Sequence, residues 1–383
     1  MTSASDRAGH TATLRDAFSS AVIFRLILGW GTFVATLLAR PWLHGTLSTP
    51  VLTAVLVGII TVIILCAFGV VAQAEHLAHR LGDPYGTLTL SIVIIEVILI
   101  SAVMLGPGDH TTIARDSVMA VSMIILNLVI GVALIVGGFR HGGMLPNRTG
   151  TSAYLSVLVV LTTMAFVMPG LIGSDGTYTT AQEIPIIIFT VMLYVFFLYR
   201  QMGAQRGDFQ EVDSRPEETS APSAGIRDVL VDHRREILTR SAILLLTVLP
   251  IVLLSHDMAT LLDDGLARAG APVALSGVLI AMVVFLPETL TTIRAAHQGE
   301  IQRVSNLCHG ALVSTVGLTI PAVLTIGMLT GQRVELFESP TNLVLLAVTL
   351  MLSVATFTGR RVTALHGAAH LMVFFVFGLS IFA

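Results

Sequence analysis

PVALSGVLIAMVVFLPETLTTIRAA, residues 272–296, is the stretch from which the whole chain is best read. It is long and apolar enough to cross a bilayer, and it carries one ionisable side chain near its middle, Glu288. A carboxylate at that depth costs about 2.5–3.5 kcal/mol on insertion scales, so it marks a functional site by default. Pro287 stands immediately before it. A proline inside a helix removes one hydrogen bond and frees the carbonyl four residues back, here that of Val283. A carboxylate beside freed carbonyl oxygens is suited to holding a cation. A second stretch, GTLTLSIVIIEVILISAVML at 86–105, places Glu96 in the same central position.

Composition sets the class. Of 383 residues, 54% are hydrophobic and only 12% charged, and mean hydropathy is +0.85. An average soluble domain carries roughly 25% charged residues. Apolar runs of span length recur from end to end, which predicts an all-α polytopic membrane protein with the lipid bilayer as its partner. The net charge of −3 gives no basic surface for nucleic acid. Cys66 and Cys308 lie inside apolar runs, without metal-type spacing. The polar first residues, with no cleavage site after the first apolar run, argue against a removed signal peptide.

Eleven transmembrane helices are predicted, at 20–38, 51–73, 86–106, 117–138, 152–172, 184–200, 239–256, 272–296, 304–328, 341–357 and 364–382. Arg25 in the first reads as a snorkelling side chain. The segment 201–238 is acidic and rich in Pro, Ser and Gly, and reads as a solvated linker with a short helix in VLVDHRREIL. With the N-terminus inside, sixteen arginines fall on inner segments. Only Arg40, Arg115, Arg268 and Arg333 fall on outer ones. The positive-inside rule then predicts an inner (plasma) membrane protein with N-terminus and linker cytoplasmic and C-terminus external.

The halves repeat. EHLAHRLGDP (75–84) precedes the Glu96 span and DGLARAGAP (264–272) precedes the Glu288 span; each reads acidic–x–Leu–Ala–basic, then Gly–x–Pro. The next spans carry Ser122 and Asn127 in one half and Ser314 and Thr315 in the other. The offset is five helices, an odd number, so the halves enter the membrane in opposite senses. Inverted repeats of this kind place an ion site at the midplane between them. The expected division is a tail at 1–19, an extra first helix and loop at 20–50, one five-helix repeat at 51–200, the linker at 201–238, and a second five-helix repeat at 239–383.

On these residues the chain resembles a known family. The runs AEHLAHRLGDPYGTLTLSIVIIEVILISAVML and FLPETLTTIRAAHQGEIQRVSNLCHGALVSTVGLTIP are similar to the two α-repeats of the ChaA-type calcium/proton antiporters, in the calcium/cation antiporter superfamily. The resemblance implies a secondary transporter, not an enzyme. It would export Ca2+ in exchange for H+ by alternating access, with Glu96 and Glu288 carrying cation and protons and with no cofactor. Na+ or K+ in place of Ca2+ stays open. The Gly-Asn-x-x-Glu signature of many members is absent here, where Ile92–Glu96 and Phe285–Glu288 stand instead.

The chemistry of exchange follows from desolvation. Burial raises a carboxyl's pKa and an arriving cation lowers it again, so protons and cation compete for the same oxygens. Calcium takes about six to eight oxygens, more than two glutamates supply. The Val283 carbonyl, Thr89, Thr292, Ser314, Thr315 and Asn127 are the auxiliary candidates. Thr89 and Thr292 share the faces of Glu96 and Glu288 by helical spacing. The bland alternative is a pair of neutral glutamates hydrogen-bonded for structure. Glu75, His76 and His79 are candidates for an entrance or proton relay, while Asp257 and Asp263 read as external-loop acids. His366 and His370, spaced i, i+4, make at most half a metal site. An intramembrane enzyme is the competing class, and none of its aspartate or His-Glu-x-x-His motifs is present.

Overall fold

A computed structural model of the chain describes residues 19–43, 47–81, 111–212 and 234–382. In chain order the helices are α1 (Ser20–Leu43), α2 (Thr49–Leu81), α3 (Ile113–Met123), α4 (Ile130–His141), α5 (Arg148–Thr162), α6 (Met168–Ile172), α7 (Thr180–Met202), α8 (Arg234–Arg268), α9 (Val273–Val284), α10 (Leu286–Gln298), α11 (Ile301–Thr330), α12 (Pro340–Thr358) and α13 (Ala364–Ser380). A π-helical turn at Ile124–Val129 joins α3 to α4, and another at Thr163–Val167 joins α5 to α6. Among the described residues eight helical segments can cross a membrane, the bent pair α9–α10 is a ninth, and α13 is a shorter apolar helix. The expected span at 86–106 lies outside the described residues. The protein is an all-α, multi-pass membrane protein.

The chain divides into two compact units. The first holds α1, α2 and α8. Two of these outrun their predicted spans: α2 continues through the EHLAHR motif to Leu81, and α8 runs unbroken for 35 residues. At 1.5 Å per residue a helix of that length exceeds the hydrocarbon core of about 30 Å. The glycine that lets the three helices meet is Gly29: a Cβ there would stand 3.1 Å from both Cys66 Sγ and Pro250 Cγ. Pro250 has no N–H to give the carbonyl of Leu246, and the Trp30 indole N–H donates to that oxygen instead, at 3.0 Å. Arg25 does not snorkel away from the helices. Its stem lies over Gly69 of α2, where a Cβ would meet Arg25 Cδ at 2.8 Å. Asp257 is likewise no loop acid: it is buried on α8, 2.9 Å from Arg40, and accepts from Thr36 at 3.2 Å.

The second unit is built on α11, which packs against α5 and α7. Gly131 of α4 and Gly367 of α13 let those helices touch backbone to backbone, since a Cβ on Gly367 would stand 2.5 Å from the Gly131 carbonyl. One end of this unit closes on the start of the linker. Residues 203–212, expected as solvated loop, form a 3-10 turn at Arg206–Phe209 with Phe209 buried beside Tyr154. Asn306 Nδ2 donates to the Phe209 carbonyl at 2.8 Å, and Asn147 Nδ2 reaches the carbonyls of Gly207 and Gln210. At the same end Met144 and Val362 form a single β-bridge.

The opposite end carries a hairpin and a strap. Ser174 and Thr177 bond each other's backbones across Asp175 and Gly176, whose φ values of 51° and 75° are those of a tight primed turn. Residues 331–339, between α11 and α12, run extended over this turn. Leu336 and Phe337 N–H both donate to the Gly176 carbonyl, Glu335 N–H to Thr111, and Glu338 N–H to Phe166.

Candidate functional site

Glu288 stands where the span breaks. The axes of Gly277–Val283 and Glu288–Gln298 diverge by 57°, and the helix resumes at Leu286, so Pro287 occupies the first turn of α10, where no N–H is needed. The break lies at Phe285, two residues past the carbonyl that the proline was expected to free. Glu288 therefore sits in the first turn of a half-helix, at the positive end of the helix dipole. Both its carboxylate oxygens are buried. Discontinuous helices with a charged group at the break are how membrane transporters hold ions away from water.

The neighbours are hydroxyls. Thr292, one turn after Glu288 on the same face, is fully buried and meets Cys308 of α11, with Oγ1 and Sγ 3.8 Å apart. Thr315, two turns after Cys308 on α11, is also fully buried. Ser314 Oγ is held by the Tyr194 hydroxyl at 3.1 Å. Val283, in the last turn of α9, is half-buried. Glu96 and Thr89 lie outside the described residues, and so do the side chains of Glu75 and His79 on α2. His76, on the same helix, is exposed.

Asn127 is placed differently from its expected role. It lies on the π-helical turn, fully buried, with both ends of its amide engaged. Nδ2 donates to Thr349 Oγ1 at 2.8 Å, and Oδ1 is 3.3 Å from His370 Nδ1. An amide oxygen only accepts, so His370 carries its proton on Nδ1, and Nε2 accepts from the Thr356 hydroxyl at 3.3 Å. The chain of donors ends as Thr349 Oγ1 donates to the Leu345 carbonyl. This clamp ties the π turn to α12 and α13. His366 does something else: it closes the N-terminal capping box of α13 with Thr363. The two histidines therefore share no ion. The clamp went unread in the sequence, although Thr349, Ser353 and Thr356 form a polar stripe at spacings of four and three in an apolar span.

Comparison with known proteins agrees with this architecture. The family model for "Sodium/calcium exchanger protein" matches residues 51–203 and 240–382. The chain is 36% identical over 315 residues to the y4hA protein of Sinorhizobium fredii, covering 81% of this chain and 83% of that one. It is 30% identical over 345 residues to the sodium-potassium/proton antiporter ChaA of Escherichia coli, covering 89% and 93%. Its fold is similar to that of the Ca2+/H+ antiporter protein YfkE, with a TM-score of 0.65 at 16% identity over 95% of this chain and 99% of that one. The chain, a membrane transporter of inorganic cations, belongs to the sodium/calcium exchanger protein family.

Proposed function

We propose that this protein is a secondary cation/proton antiporter of the plasma membrane that exports Ca2+ in exchange for H+. Glu96 and Glu288 bind cation and protons in competition, one from each of two inverted five-helix repeats at 51–200 and 239–383. The observation that carries the proposal is the placement of Glu288: a carboxylate with both oxygens buried, in the first turn of a half-helix that follows a 57° break. Burial of both oxygens penalises the charged form, so a proton or a cation at the group is favoured, and either one displaces the other. Two glutamates match the charge of one divalent ion. Thr292, Thr315, Ser314 and the Val283 carbonyl supply further oxygens, and Thr89 does so on the other repeat.

A second reading rests on a specific likeness. The Escherichia coli relative is a sodium-potassium/proton antiporter, and at 30% identity its substrates are a real alternative for this chain. The two readings part in one experiment. Everted vesicles are given a preset pH gradient, then Ca2+, Na+ or K+ in turn. Collapse of the gradient by Ca2+ alone supports the first reading; collapse by Na+ or K+ without Ca2+ supports the second; no response to any cation sinks both.

A further inference from the structure

The strap end of the second unit holds a carboxyl that cation exchange at Glu288 does not use. Glu338, the penultimate residue of the strap, is 2% exposed. Its Oε2 accepts from the Ser339 N–H at 2.8 Å and from Asn342 Nδ2 of α12 at 2.9 Å. Its Oε1 is buried without a hydrogen bond. The nearest cation is Arg115, at the start of α3, with Nε 3.9 Å from that oxygen.

Arg115 is committed elsewhere. Its Nη1 donates to Glu335 Oε1 and to the Phe337 carbonyl, both at 2.8 Å, and its Nε donates to Asp116 at 3.0 Å. One guanidinium thus faces three carboxylates. Asp116 and Glu335 are 57% and 38% exposed, so water screens their charge; Glu338 has no such relief. A further charged pair among the described residues at this end, Arg333 with Asp175, is exposed and 3.5 Å apart. Of the three acids, the buried one has the least compensation and the strongest claim on a proton.

We propose that Glu338 is a proton-binding site on the strap face, and that its charge state sets how Arg115 is divided among Asp116, Glu335 and Glu338. The strap's side-chain tie to α3 then changes with pH on that face, and transport changes with it. Burial, the largest effect, pushes the Glu338 carboxyl above the usual carboxylate range; the bonds from Asn342 and Ser339 and the charge of Arg115 pull it down, and Asp116 pushes it up again. The transport part rests on the exchanger reading above, and on the arginine asymmetry that makes this face external.

The test is cation-driven proton movement in oriented proteoliposomes, with pH varied on the strap side alone. Wild-type protein should show a titration step that Glu338→Gln lacks. Glu335→Gln releases Arg115 toward Glu338 and should move the step down by about one pH unit; Arg115→Gln should move it up by about as much. A Glu338→Gln profile identical to wild type overturns the proposal. Infrared difference spectra between acidic and neutral buffer supply a readout independent of transport. A protonated-carboxyl band that depends on Glu338 should remain when the Glu338→Gln spectrum is subtracted from wild type, where Glu96 and Glu288 cancel, and its absence from that difference overturns the proposal equally. A chain that transports no cation but shows the band would end the exchanger reading and leave the proton site standing.

Discussion

At Glu288 the proposed exchange makes a demand that glutamine cannot meet. Glu288→Gln keeps the side chain's shape but removes its charge and its proton exchange. Cation-dependent collapse of a pH gradient should fall by at least tenfold, with Glu96→Gln equivalent; normal transport by both variants would show that the ion is held elsewhere. The buried clamp makes a different prediction. His370→Ala strips the Asn127 amide oxygen and the Thr356 hydroxyl of a partner, at about 1–3 kcal/mol, so thermal unfolding in detergent should come at lower temperature. An unchanged unfolding temperature would mean that water replaces the ring. Glu338 adds a pH dependence whose sign is set by its raised pKa. The folded form holds the proton more tightly than the unfolded chain, so the contribution to stability is present in acid and fades as pH rises through the folded value. Glu338→Gln mimics the protonated form and should flatten that dependence in a melting series.

Among the helices, the break between α9 and α10 is the feature with most mechanical consequence. Pro287→Ala restores the N–H that could continue α9 into α10, so the variant should lose cation transport while remaining folded; full transport would show that the bend is held by packing and not by the proline. The α4–α13 contact is the most sterically exacting of the helix pairs. Gly367→Ala must push apart two backbones that now leave no room for a methyl group, at a cost of about 1–3 kcal/mol, and reduced yield of folded protein in detergent is the expected result.

For the molecule as a whole, the testable statement is orientation. Cys66 and Cys308 are both buried, so single added cysteines can be labelled on a quiet background. Arg333→Cys on the strap should react with a membrane-impermeant maleimide added outside intact cells. Arg360→Cys, between α12 and α13, should react only after permeabilisation. The reverse pattern would invert the topology. The two compact units are not the two halves of the sequence: α2 and α8, nearly 190 residues apart along the chain, pack together with α1, while most of both remaining halves form the other unit.

What the sequence by itself determined was the class of the protein, and it marked where its chemistry is proposed to lie. Apolar runs must be helices in a bilayer because no water is there to satisfy a strand edge, and a glutamate behind a proline in such a run is legible without a partner in view. The doubled motif around Glu96 and Glu288 and the arginine asymmetry are patterns along the chain, and reading them needs no tertiary structure. Only tertiary structure could show what Asn127, Asp257 and Glu338 do, because each is defined by residues more than 200 positions away: Thr349 and His370, Arg40, and Arg115. An isolated polar residue looks the same in sequence whether it faces an ion, a helix or water. The helix lengths of α2 and α8 were hidden for a related reason. Their ends are polar, and polarity along a chain marks the edge of the membrane without marking the end of the helix.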